Sequence, residues 1–372
     1  MCGVLGVGSA GPGTPTGGTL PGGMPRTGTD LGVALWLDPG QLPLVRGVLE
    51  RSGVRAAGVG TPARGRAAEL AEALGAPPLD DLRSVLATTT APALWLAAVG
   101  GFGADPADLE AVRAARARGV RVCTLEPLPT SAIQLAGRVS AGVAIGPGGL
   151  PEPEVLTAAA EFVPLFRHAP AHAELTELLP EAGRLRTLTA RCLGAPEHGT
   201  LGARLFDALD LAVGLLGEPE AVDAAYVPPV SRLAGGLRLL PGDSLHGLRG
   251  DMTLNLRYAT GASACLLASD QAVRWERSAL LLADGGRLSF GDGGLSCAWL
   301  GRDLEEAPRR RRVGRDDPAT VLAQALTRAL GRDAAGPRPD LGAVLAVAGA
   351  ALLSARTGEN EAPATIRRMA GL

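Results

Sequence analysis

From residue 31 to residue 125, short apolar runs alternate with amphipathic segments of helix length. That alternation limits what this chain can fold into more than any other feature. Residues 31–37 form a continuous apolar run, as a parallel strand covered on both faces requires. Residues 42–51 read as a helix, 54–60 as a second strand, 63–74 as a helix stopped by Gly75, and 79–87 as a connection with helical character. Residues 93–99 read as a third clear strand. Asp105 and Pro106 supply the N-cap and first position of the next helix, and 120–125 read as another strand. Strands and helices alternating at this spacing build an α/β doubly wound parallel sheet of Rossmann type.

The second half has a different grammar. Residues 184–193 read as a strand and 201–216 as a helix closed by Gly217. Met252, Leu254, Leu256 and Tyr258 alternate with Thr253, Asn255 and Arg257, which is a strand with one buried face. Residues 262–268 follow after a turn, Asp284-Gly285 signals a hairpin, and helices are expected over 318–330 and 340–358. Hairpins with helices describe an α+β domain on a mainly antiparallel open sheet. The expected division is therefore a Rossmann-like domain over 30–165 and a C-terminal α+β domain over 166–372, for substrate or for oligomerisation.

Residues 1–29 are rich in Gly, Pro and Thr and are expected to be a disordered or upstream extension. Gly6, Gly8 and Gly11 there spell G-x-G-x-x-G, the dinucleotide fingerprint. The fingerprint needs a strand before it and a helix after it. Here Pro12, Gly13 and Pro15 follow at once, so the triplet reads as a decoy.

Composition bears on chemistry. The chain has 372 residues and no lysine; all 36 of its basic side chains are arginine. A Walker A loop, a pyridoxal Schiff base and a protein-kinase site all need lysine, so each is excluded. The formal net charge of −2 gives no reason to expect nucleic acid or an anionic membrane as partner. No stretch offers the roughly 18 uninterrupted apolar residues of a membrane span, and the opening lacks the features of a secretory leader. Five well-separated cysteines without zinc or redox spacing read as free thiols in a cytoplasm.

Four stretches occur in the order of one known family. They are RAAELAEALG at 66–75, LDDL at 79–82, LDL with GLLGEP across 209–219, and ALLSARTG at 351–358. On these the chain resembles the glucose–fructose oxidoreductase / inositol dehydrogenase (Gfo/Idh/MocA) family. The resemblance runs from about residue 31 to residue 362. It implies an N-terminal Rossmann domain, a C-terminal open-sheet domain, and NAD(P)-dependent chemistry on sugars or cyclitols. It also implies oligomers built on the face of the C-terminal sheet.

The departures from the family fall on its chemistry. The phosphate turn is represented by Asp38, Pro39, Gly40 and Gln41, with one glycine, a proline without N–H and a carboxylate where a diphosphate would sit. Thr61 stands where the family often has a ribose-binding acid, with Arg64 and Arg66 behind it. That pattern favours NADP over NAD if any dinucleotide binds. In the family's "EKP" the lysine lies beside the transferred hydride; here the run is Leu125-Glu126-Pro127, with Pro127 expected to shape a cis-like turn. In the family's D-x-G-x-H-x-x-D motif, Asp207 replaces the histidine and only Asp210 is retained.

Glu126 and Asp207 could act as general acid or base only if burial or mutual repulsion raised a pKa. They are expected to face one cleft. His168 and His172, four apart, do not make a metal set without a third ligand, and His198 and His246 stand in turns. The arginine run at 309–312 is flanked by acids and reads as a solvated loop. Two readings follow: a non-catalytic descendant binding a sugar-like ligand or a protein partner, possessing no required cofactor, or an NAD(P)-dependent oxidoreductase with an atypical site.

Overall fold

A computed structural model describes residues 31–140, 160–229, 240–301, 317–331 and 337–372. The glycine triplet of the first thirty residues and the arginine run at 309–312 lie outside these described residues.

The first half runs β1 (Gly32–Trp36), α1 (Leu42–Ser52), β2 (Arg55–Gly60), α2 (Ala67–Leu74), β3 (Pro78–Leu79), α3 (Leu82–Thr88), β4 (Ala93–Leu96), α4 (Pro106–Ala117), β5 (Arg121–Thr124), α5 (Ala132–Ser140) and β6 (Glu161–Phe162). The sheet order is β3-β2-β1-β4-β5-β6, and every pairing is parallel. All four residues of β4 are buried, as the continuous apolar run requires of a strand covered on both faces. The order reverses between β1 and β4. In an open α/β sheet a crevice opens beyond the carboxyl ends of the strands at such a point.

The second half adds α6 (Pro170–Ala182), β7 (Leu185–Leu193), α7 (Leu201–Leu216), β8 (Ala221–Val227), β9 (Asp251–Arg257), β10 (Ser263–Ser269), β11 (Glu276–Ala283), β12 (Gly286–Gly291), β13 (Gly294–Trp299), α8 (Pro318–Leu330), α9 (Leu341–Thr357) and α10 (Pro363–Ala370). Its seven strands run β13-β12-β11-β7-β10-β9-β8. All pairings are antiparallel except β7 with β10. The inward residues of these strands, among them Leu188, Leu254, Leu266 and Leu281, form one core with α7 and α9. Thr253, Asn255, Arg257 and Cys265 lie exposed on the other face.

Two details position the site. Helix α7 starts at Thr200, whose hydroxyl accepts from Ala203 N at 3.2 Å. Every residue of α7 from Leu201 to Ala212 is buried, including Arg204, Asp207 and Asp210. Helix α8 packs on α1, and Leu322 and Leu326 join Val45 and Val48 in the core of the parallel sheet.

Most elements match the pattern read from the sequence to within a few residues. The helix expected over 63–74 is an exception, because α2 begins only at Ala67. The Thr61 hydroxyl accepts from Ala63 N at 3.2 Å, and Gly65 adopts φ +74°, so the chain turns before it coils. The peptide before Pro127 is not cis; the cis bonds are Leu128–Pro129 and Val163–Pro164. Among the described residues no helix is long and apolar enough to cross a membrane.

Candidate functional site

The turn after β1 is closed by its own side chains. Asp38 Oδ1 accepts from Gly40 N at 2.9 Å, and Asp38 N donates to Gln41 Oε1 at 3.0 Å, a reciprocal capping box. Gln41 is buried, and its Nε2 donates to Ala97 O at 2.9 Å and to Glu197 O at 3.2 Å. It thereby joins the first turn to the segment that leads into α7. The backbone donors are also spent: Gln41 N goes to Asp38 O at 2.9 Å and Leu42 N to Pro39 O, while Pro39 and Pro43 have no N–H.

Glu126 lies just beyond β5 and is 6% exposed. Its Oε1 accepts from Thr200 N at 3.0 Å, and its Oε2 accepts from the Thr200 hydroxyl. The carboxylate thus caps the start of α7, where the helix dipole favours a negative charge. Burial pushes its pKa up, opposed by the two bonds from Thr200 and by the charges of Arg249 and Arg204. Its backbone is fixed as well, since Glu126 N donates to Thr124 Oγ1 at 3.0 Å.

Asp207 lies seven residues beyond Thr200 on α7 and belongs to a separate buried network. Its Oδ1 accepts from Phe166 N at 2.6 Å and its Oδ2 from Arg277 Nη1 at 3.1 Å. Arg277, 3% exposed, also pairs with Asp292, which accepts from Trp275 Nε1 at 2.8 Å. Asp210 takes a two-pronged bond from Arg167, both prongs 2.7 Å.

Between Glu126 and Asp207 lies Arg204, also 3% exposed, which donates to His198 O and stacks 4.1 Å from the centre of the Trp275 ring. Its Nε has no hydrogen-bond partner. Burial draws this guanidinium down to about 10, opposed by the charges of Asp207 and Glu126. Asp207 sits on α7 and Glu126 bonds to its N-cap, but each is turned to its own partners and neither lines the open crevice described next.

That crevice, of about 520 Å³, lies at the carboxyl ends of β1, β2 and β4. Trp36 and Phe102 form an apolar floor; Thr61, Arg64, Asp80 and Arg83 are among its polar lining. Arg83 Nε is held by Asp108 at 2.6 Å. Arg64 is exposed and has no ion-pair partner among the described residues. Arg66 does not line the crevice and pairs with Glu69 at 2.6 Å on its own helix. Asp38, Gly40 and Gln41 are not among the lining residues either.

The histidines serve packing. His168 Nε2 meets Pro337 O at 2.9 Å, while His172 sits edge-on to Phe290 with a buried, unpartnered Nε2. Burial lowers both, His172 to about 4. Among the described residues no three His, Cys, Asp or Glu side chains converge as a metal set.

Reading by family motif located Glu126 and Asp207 but not the residues that engage them. Thr200, Arg277, Asp292 and Trp275 carried no motif. One signal was present: Arg277 occupies an inward position of a strand whose other inward residues are Ala279, Leu281 and Ala283.

A parallel Rossmann-type sheet joined to a seven-stranded open sheet defines a class of fold. No protein-family model and no curated sequence matches the chain. Solved structures do. The WlbA dehydrogenase from Bordetella pertussis, in complex with NADH and UDP-GlcNAcA, is 17% identical with TM-score 0.62, over 91% of this chain and 99% of that one. Levoglucosan dehydrogenase, in complex with NADH and L-sorbose, is 15% identical with TM-score 0.59, over 89% and 98%. A myo-inositol dehydrogenase from Corynebacterium glutamicum is 16% identical with TM-score 0.56, over 89% and 98%. The chain has the two-domain fold of Gfo/Idh/MocA-type dehydrogenases.

Proposed function

We propose that this protein is a non-catalytic member of that fold group, which binds a small ligand in the crevice beside Thr61 and Arg64. One observation carries the reading: Glu126 and Asp207, which stand where the family's lysine and histidine stand, are buried and bonded to Thr200 and to Phe166 and Arg277. A group that transfers a proton must reach the reacting atom, and both carboxylates are occupied elsewhere. Arg204 cannot substitute, because a guanidinium about two units below its usual value still holds its proton near neutrality. The ligand is sugar-like or nucleotide-like, and NADP is preferred to NAD if a dinucleotide binds, through Arg64. The protein works in the cytoplasm, as a homo-oligomer or heteromer using the face that bears Thr253, Asn255 and Arg257.

The second reading is an active NAD(P)-dependent oxidoreductase on a sugar or cyclitol. The NADH named with two of the similar structures favours it. A polyol and sugar panel with NAD and NADP, followed by absorbance, separates the two. The expected result is no cofactor-dependent change. Turnover that Glu126→Ala or Asp207→Ala abolishes would establish the second reading instead.

A further inference from the structure

We infer that the crevice takes a nucleoside bearing a single phosphate on its ribose, and that a whole dinucleotide gains nothing there. The inference rests on the non-catalytic reading above and names the ligand of its crevice.

The argument is an accounting of donors. A diphosphate at a Rossmann turn is held by backbone N–H groups at the start of the first helix. Across residues 39–43 no such group is available. Gly40 N is taken by Asp38 Oδ1, Gln41 N by Asp38 O and Leu42 N by Pro39 O, and the two prolines have none. Asp38 adds a negative charge on the same spot. The Gln41 side chain is buried and tied to Ala97 O and Glu197 O, so it is not free to bind a phosphate either. The diphosphate and everything beyond it have no seat.

The crevice is different. It opens at the point of strand reversal, beyond the carboxyl ends of β1, β2 and β4, where an α/β sheet presents its ligand. Trp36 and Phe102 give it an apolar floor for a flat ring. The Thr61 oxygen already accepts from Ala63 N, which leaves its O–H to donate to a ribose oxygen. Arg64 lines it as a cation with no ion-pair partner among the described residues, the group a ribose phosphate would meet, and Asp80 in the same lining can accept from a hydroxyl or an exocyclic amine. Apolar floor, hydroxyl donor and a guanidinium without an ion-pair partner among the described residues together match a phosphorylated nucleoside and stop at that size.

The test is calorimetric titration of the full chain with adenosine, adenosine 2′-phosphate and NADPH, with tryptophan fluorescence as a second readout. Adenosine 2′-phosphate and NADPH are expected to bind within about threefold of each other, and adenosine about tenfold or more weaker, the worth of one charge-assisted contact. Arg64→Ala should erase that preference while leaving the melting temperature unchanged; Arg66→Ala should preserve it. The inference is overturned if NADPH binds tenfold or more tighter than adenosine 2′-phosphate, if neither binds at millimolar concentration, or if Arg64→Ala keeps the preference. Tight NADPH that is also oxidised by a polyol-derived ketone would overturn the non-catalytic reading as well. Tight NADPH without turnover would overturn this inference alone.

Discussion

The seam around α7 and the crevice at the β2 and β4 ends are two uses of charge in one protein. At the seam, Glu126, Arg204, Asp207, Asp210 and Arg277 are all buried, and every carboxylate has its donors. At the crevice, Asp80, Asp81, Arg64 and Arg83 are exposed, and Arg64 has no partner among the described residues. Buried charge must be paired to be tolerated, and at the seam it is; exposed charge bears no such cost, and at the crevice it is left open to solvent.

The comparison breaks most visibly at Arg277. Arg277→Met strands Asp207 and Asp292 in the core, and urea unfolding should show a loss of about 3–5 kcal/mol. A loss below about 1 kcal/mol would mean the network is solvated and the seam is an open site after all. Glu126→Ala removes the acceptor for Thr200 N and its hydroxyl, and an expected loss of about 1–3 kcal/mol follows from leaving a buried donor unmet. Glu126→Ala that stabilises the fold would instead mark Glu126 as strained for function.

A third effect is read in pH. The His172 pKa is lowered to about 4 by burial, below the ordinary histidine value. The unfolded chain therefore binds a proton that the folded chain does not, between about pH 6.5 and pH 4. Stability from this group is complete above about pH 6.5 and declines as pH falls, by about 2 kcal/mol between pH 7 and pH 5. His172→Leu should flatten that part of the profile in denaturant titrations at the two pH values; an unchanged slope would assign the acid sensitivity elsewhere. The smallest effect belongs to Arg66, whose pair with Glu69 is exposed. Arg66→Ala should leave the melting curve where it was, and a clear shift would show that exposed charge pairs in this protein carry more than the seam comparison assumes.

The fold was legible because its signals are local. Asp105 with Pro106 announces a helix start within two residues, and Met252 to Tyr258 announce a strand by alternation. The start of α2 was misread for a local reason too: Gly65 and the Thr61 hydroxyl outweigh the helical composition around them. The site was legible only as positions. Glu126 is separated from Thr200 by 74 residues and Asp207 from Arg277 by 70, and no periodicity reports a contact across such distances. The parallel pairing of β7 with β10 was hidden for the same reason: strand partners are chosen by the whole sheet rather than by either strand.

Helix α8 carries a practical consequence. It comes late in the chain, yet covers α1 at the start, and Arg121 Nη1 donates to Gly331 O at 2.6 Å beside it. The N-terminal sheet therefore cannot be obtained by cutting the chain after residue 165. Such a fragment would leave Val45, Val48 and the outer side of α1 wet, and it would be sticky or unfolded in isolation. The covering strap is threaded through the other half of the chain, so the two halves share one fate in expression, proteolysis and turnover.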